Sequence, residues 1–239
     1  MVPGPAMANQ NRAMKIPLVP HSWSLTPRQA IALQRKLARR VCVVKRAGEL
    51  RFIAGLDAAF SADGKRCLAA VVLWDRVELR TVEQQTAARK LTFPYIPGLL
   101  SFREAPALLA ALRKLRRTPD ALMCDGQGLA HPRRLGIASH IGILCGLPTV
   151  GCAKSRLCGE HTEPAWARGS VAPLTDGNEQ IGEVLRTQDG VKPVYVSVGH
   201  LCDLANAREL VLACATRFRL PEPTRLADRL VGEFKRSLG

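Results

Sequence analysis

The chain has 239 residues, 47% of them apolar, with 35 Lys+Arg against 20 Asp+Glu for a formal charge of +15. This length and apolar content can build a core of its own, which excludes a disordered polymer and a disulfide-stapled miniprotein. No run approaches the roughly eighteen apolar residues of a membrane span, and the positive excess points to a polyanionic partner such as nucleic acid.

Residues 1–15 are rich in Pro, Gly, Asn and Ala and lack the apolar heart of a signal peptide. A disordered extension is expected over 1–20, followed by one domain over 21–239. Thr26-Pro27-Arg28-Gln29 has the signature of a helix start: a capping threonine, proline at the first helical position and glutamine three residues after the cap. That helix should run to about Arg40, with Ala30, Leu33 and Leu37 inward and Arg35, Lys36, Arg39 and Arg40 elsewhere. Three successive strands are expected at 52–60, 67–74 and 77–84, the first turn falling at Ser61-Ala62-Asp63-Gly64.

A helix over 99–117, a strand over 121–125, a helix over 132–145 and a strand over 148–152 follow. Strands near 168–173, 180–186 and 193–198 and helices over 203–217 and 223–236 complete the pattern. Three strands and then alternating helices and strands predict an α/β fold, a mixed central sheet with helices on both faces.

Three carboxylates interrupt this pattern. Asp57 lies in the apolar strand Phe52–Phe60, and Asp125 ends the buried-strand run Ala121-Leu122-Met123-Cys124. Glu104 precedes Leu108, Ala111/Leu112 and Leu115 by successive helical turns, so it occupies the stripe that faces the core. Desolvating a lone carboxylate costs several kcal/mol, so each needs a counter-charge or backbone amides. Convergence of all three on a hard divalent cation, Mg²⁺, is the economical solution. On so basic a chain, such a cluster implies a polyanionic substrate.

The eight cysteines show neither a Cys-x-x-Cys pair nor zinc-ligand spacing, and Cys124, Cys145 and Cys152 sit in apolar runs. This usage points to a reducing cytoplasm. A phosphate-binding loop, a complete dinucleotide fingerprint and a serine nucleophile elbow are all missing. Pro94-Tyr95-Ile96-Pro97-Gly98 is a rigid turn that presents an aromatic ring, a wedge able to unstack a base step. Gly126, Gly128, Gly136 and Ala138 would let a flat base approach the main chain closely.

These tracts resemble the endonuclease V family. The matching segments are the Asp57 strand, Phe93–Gly98 through Phe102-Arg103-Glu104, and Asp125-Gly126-Gln127-Gly128 through His131-Pro132-Arg133. Leu135–His140, Pro148–Lys154, Gly199-His200 and Pro221–Asp228 extend the match over about residues 27–230. The resemblance implies a ribonuclease-H-like fold and a single catalytic domain. The implied activity is a Mg²⁺-dependent endonuclease (Mn²⁺ a plausible substitute) that recognises inosine and hydrolyses the second phosphodiester 3′ to it.

By the same resemblance, Asp57, Glu104, Asp125 and Asp228 are the metal-binding acids, and Lys154 lies near the scissile phosphate. Tyr95, flanked by Pro94 and Pro97, is the strand-separating wedge. Leu100, Gly126, Gly128, His131, Gly136 and Ile137 line the base pocket. His140 and His200 fit better as satisfied structural histidines. The implied partner is DNA containing deoxyinosine, with inosine-containing RNA as a second substrate, and neither a membrane nor an obligate protein partner. Another ribonuclease-H-like nuclease, such as a junction resolvase or hybrid nuclease, would lack the Pro-Tyr-Ile-Pro and Asp-Gly-Gln-Gly tracts. A non-catalytic nucleic-acid-binding module would not require all three acids.

Overall fold

A computed structural model describes residues 13–238. Its element order is α1 (Pro27–Ala38), β1 (Phe52–Phe60), β2 (Arg66–Asp75), β3 (Arg80–Lys90), α2 (Ser101–Leu112), β4 (Ala121–Cys124), α3 (Ile137–Cys145) and β5 (Thr149–Ala153). There follow β6 (Val171–Asp176), β7 (Glu179–Leu185), β8 (Val194–His200), α4 (Leu204–Cys214) and α5 (Glu222–Ser237). One eight-stranded sheet runs β3-β2-β1-β4-β5-β8-β7-β6. β1, β4 and β5 are parallel neighbours, and the outer strands pair antiparallel. The mixed sheet and this strand order are those of a ribonuclease-H-like α/β fold.

Alternation along the strands divides the core between the two faces. Ala54, Leu56, Ala69 and Val71 pack with α2 and α3, while Ile53, Met123, Val150 and Val196 pack with α4. Leu68 and Ala70, the opposite set on β2, meet Val231 of α5. Helices therefore cover both faces, as the pattern requires.

Several boundaries differ from expectation, β3 also running on to Lys90, β6 lying at Val171–Asp176 and α4 ending at Cys214, and three of the differences have a visible local cause. β3 begins at Arg80 rather than 77 because Asp75 Oδ1 accepts from the Val77 and Glu78 amides and Leu79 turns through φ 50°. α2 ends at Leu112, where tighter turns bring in Lys114 and Leu115. α3 starts at Ile137, five residues late, because Arg134 takes a left-handed conformation (φ 55°) and Gly136 is an extended N-cap. At the N-terminal end, residues 1–12 lie outside the described residues, while Met14 is buried and donates its amide to Leu115 O at 3.3 Å.

Candidate active site

Strand register assembles the site's centre. β1 and β4 pair Leu56 with Cys124, and the Asp125 amide donates to Leu56 O, so Asp57 and Asp125 emerge side by side. β4 pairs Cys124 with Gly151 of β5, and Lys154 follows directly after that strand. Its ammonium lies 2.6 Å from Asp125 Oδ2 and 3.4 Å from Asp228 Oδ1. Asp228 arrives on α5. The backbone of Pro223 crosses β1 at Gly55 so closely that a Cβ there would fall 2.0 Å from Pro223 C and O. One ligand oxygen from each of Asp57, Asp125 and Asp228 lies within 4.8 Å of the others.

Glu104, in the first turn of α2, stands near these acids and lines the same cleft as Asp125, but it lies outside the group whose oxygens meet within 4.8 Å. Burial and the charges of Asp57 and Asp125 push its carboxyl up to about 8. Asp57 is displaced upward for the same reasons, burial first and then the charge of Asp125, although its Oδ1 accepts from the Ala58 amide at 2.8 Å. Burial works to lower the Lys154 ammonium, but its bond to Asp125 and the charges of Asp125, Asp228 and Asp57 outweigh that and raise it. The Lys154 ammonium, with the Arg103 guanidinium near Glu104, does not offset this repulsion, and Asp57 and Glu104 stay raised. An all-oxygen donor set under this mutual repulsion fits a hard divalent cation.

Beside the acids opens a cleft of about 410 Å³. Tyr95, Pro97, Leu100, Gly126, His131, Gly136 and Ile137 line it, with Glu104, Asp125 and Lys154 at its edge; Pro94 and Gly128 are not on its wall. Tyr95 is 69% exposed, so it is not a core residue, and its ring lies 5.9 Å from the Arg103 guanidinium. Burial and the Arg133 charge lower His131 to about 4. A neutral ring whose Nδ1 accepts from the Arg133 amide must donate from Nε2 to Gly98 O, 3.0 Å away.

Gly126 and Gly136 line the cleft as expected, but the backbone amides near them are not free. A Cβ on Gly128 would fall 2.0 Å from Val198 O, and one on Gly136 2.1 Å from Gln127 O. The Gly128 amide donates to Ser197 Oγ, Gly136 to Gly128 O, and Ala138 to Gln127 O. These residues hold backbone against backbone beneath the cleft, so their amides are engaged within the protein. At Gly126 a Cβ would meet the Ile137 side chain at 2.6 Å. His140 is fully buried between Ser101 Oγ (3.1 Å) and His21 Nε2 (3.2 Å), and His200 Nδ1 accepts from the Cys42 amide, so both are satisfied structural histidines.

Sequence reasoning missed Gly55 and Gln34. A glycine inside a strand signals close backbone approach, which Gly55 provides. Gln34, in the apolar stripe Ala30-Gln34-Leu37, is 1% exposed, bonds to both loops bordering the cleft and lines it. It carried the same signal as Glu104, a polar side chain at a core position. The face with Arg35, Lys36, Arg39 and Arg40 is exposed, as expected.

The family model described as Endonuclease V matches residues 35–229. An Endonuclease V from Trichormus variabilis is 51% identical over 212 residues, 88% of this chain and 96% of the relative. The crystal structure of the Endonuclease V from Streptomyces avermitilis superimposes with a TM-score of 0.87 at 42% identity, covering 95% of this chain and 100% of that one. The Ciona intestinalis Endonuclease V, 25% identical with a TM-score of 0.76 over 89% of this chain and 98% of that one, was solved with a 24mer DNA containing an inosine followed by a ribo-adenosine. The fold, the gathered acids and a match over most of the chain converge on one conclusion: the protein belongs to the endonuclease V family.

Proposed function

We propose that this nuclease is a Mg²⁺-dependent endonuclease that recognises inosine in DNA, and also in RNA, and hydrolyses the second phosphodiester 3′ to it. The observation that carries the reading is the meeting of Asp57, Asp125 and Asp228 beside a cleft bordered by an exposed aromatic ring. Asp57, Glu104, Asp125 and Asp228 would hold the ion, Mg²⁺ by preference and Mn²⁺ as a substitute. When bound, such an ion supplies an activated water and neutralises phosphate charge.

The chain's own side chains do the rest. Lys154, fixed at the rim by Asp125 and Asp228, offers N–H donors to a phosphate oxygen where charge grows in the transition state. Tyr95, with Pro94 and Pro97 stiffening its turn, fills the step vacated by the flipped base. Leu100, His131 and Ile137 enclose that base, and Gly126, Gly128 and Gly136 keep the backbone beneath it thin. The neutral His131 carries no charge that would draw water or phosphate into the base site. Residues 21–239 act as a single catalytic domain. Eight free thiols, six of them buried, fit a reducing cytoplasm, and no helix among the described residues is long and apolar enough to cross a membrane.

The deciding experiment is nicking of matched inosine-containing and unmodified DNA and RNA strands, with and without Mg²⁺. Cleavage of the inosine strands alone, dependent on the ion, is expected; indifference to the base overturns the reading. Tyr95→Ala tests the wedge. Unstacking a duplex step costs a few kcal/mol that the ring helps to offset, so affinity for inosine duplexes should fall about tenfold or more and affinity for inosine single strands much less. The melting temperature should stay near wild type, because the ring is exposed. Equal losses on both substrates would remove Tyr95 from strand separation.

The raised carboxyls also set a pH response. With Glu104 near 8 when folded and about 4.3 when unfolded, the native metal-free protein binds more protons between those values. The contribution of Glu104 to stability, and that of Asp57, therefore falls as pH rises through that window. His131 and His140, held low by burial, act in the opposite sense up to about 6.5, so a net fall is expected above that pH. Mg²⁺ competes with those protons, so its stabilising effect should grow from pH 6 to pH 8. Thermal melts with and without Mg²⁺ measure both trends, and a Mg²⁺ effect that shrinks with rising pH contradicts the ion's placement.

A further inference from the structure

Two facing segments of the cleft's lining are the Tyr95–Leu100 turn and the loop that runs from His131 into α3; Asp125–Gln127 and Ala153–Leu157 complete it. Up to the first residue of α3, neither segment is helix or strand. Gln34, on α1 and outside both, reaches them with one side chain. Its Nε2 donates to Gly98 O at 2.9 Å and to Leu135 O at 2.9 Å. Its Oε1 accepts a short hydrogen bond from Arg133 Nε. The amide orientation is not arbitrary, because both carbonyls can only accept and the guanidinium can only donate.

We propose that Gln34 is the positioning residue that sets the distance between the two walls of the base pocket, and so the enzyme's selectivity among deaminated bases. The inference rests on the reading of this cleft as the base pocket. Gly98 O is the focus, since it also accepts from Arg133 Nη2 at 2.7 Å and His131 Nε2 at 3.0 Å. Gly98 itself stands at φ +78°, and a Cβ there would lie 2.6 Å from Arg133 Nη2, so the turn closes onto the loop without room to spare.

The residue type follows from the geometry. Two diverging N–H groups on one nitrogen join the walls, and one oxygen takes the guanidinium. Glutamate keeps the acceptor and loses both donors; methionine keeps the length and loses everything polar. Lysine or arginine would bring a second cation against Arg133. A buried network with its polar atoms satisfied holds one arrangement, and partial loss releases it. Because Arg133 and His131 still bond Gly98 O without Gln34, its removal should loosen the pocket rather than unfold the chain.

The test compares wild type, Gln34→Met and Gln34→Glu on single strands carrying inosine or xanthine at the same position, with Mg²⁺. Xanthine is the purine with an additional carbonyl oxygen, so a pocket free to widen admits it. Both variants should lower the inosine-over-xanthine ratio of kcat/KM about tenfold, through KM, with kcat on inosine within about threefold of wild type and Mn²⁺ affinity by calorimetry unchanged. Hydrogen exchange should accelerate at amides in both 95–100 and 131–136. A ratio within about twofold of wild type, a loss confined to kcat and Mn²⁺ affinity, or a Gln34→Glu variant that behaves as wild type overturns the proposal.

Exchange in the wild-type protein gives a reading even if neither variant folds. Both segments should be far better protected than the 161–170 loop, and free exchange at either one overturns the clamp. Failure of the inosine reading is distinguishable, since it appears as wild-type indifference to inosine while the exchange data still decide whether Gln34 joins the walls.

Discussion

Asp125→Asn is expected to abolish Mg²⁺-dependent nicking, lowering kcat by about 10³-fold or more, equivalent to roughly 4 kcal/mol of barrier. Asp125 stands next to Asp57 through the β1–β4 register, holds Lys154 at 2.6 Å, and its charge helps raise both Asp57 and Glu104. The amide keeps the shape but removes an anionic ligand, so the remaining carboxyls bind an ion less well. Binding to inosine-containing DNA should survive or improve, because one negative charge facing the phosphates has gone. Single-turnover nicking beside metal-free binding titrations separates the two effects. Nicking within about tenfold of wild type, less than roughly 1.4 kcal/mol, would take Asp125 out of the chemistry.

Gly55→Ala should be among the most damaging single-methyl changes near the site, although the residue touches no substrate. Its Cβ would fall 2.0 Å from Pro223 C and O and 2.6 Å from Thr224 N, backbone atoms that cannot rotate away. The start of α5 must shift, and Asp228 moves with it. Overpacking of this kind costs about 3 kcal/mol at the upper end of its range, which for a chain of this size lowers Tm by roughly 6–12 °C. Weaker Mg²⁺ stabilisation should accompany the loss. Gly232→Ala is the control on the same helix, because its Cβ would meet only the far end of Arg236 at 3.8 Å. That change should be neutral or stabilising by about 0.5–1 kcal/mol. Similar melts for the two variants would show that α5 is not seated through Gly55.

The sequence by itself determined which segments are strands and helices, the mixed α/β class, two of the three clustered acids and, beside them, Glu104. Those signals are local. Asp57 and Asp125 interrupt apolar strands, Glu104 and Gln34 interrupt helical apolar stripes, and a charge or amide at a core position shows without knowledge of its neighbours. Asp228, by contrast, lies on a strongly polar helix where nothing distinguishes it from Arg229 or Glu233 as a solvated residue. Only the resemblance to the family singled it out. What draws it to Asp57 is the contact of Pro223 with Gly55, a meeting of backbone across 168 positions that no periodicity encodes.

Tertiary structure likewise decided that Gly128 and Gly136 serve close backbone packing and that α3 waits until Ile137. It turned Gln34 inward between two loops. Each outcome depends on which carbonyl or amide stands opposite across the sheet or loop. Strand register and helix approach fix that pairing, and composition and spacing do not carry it.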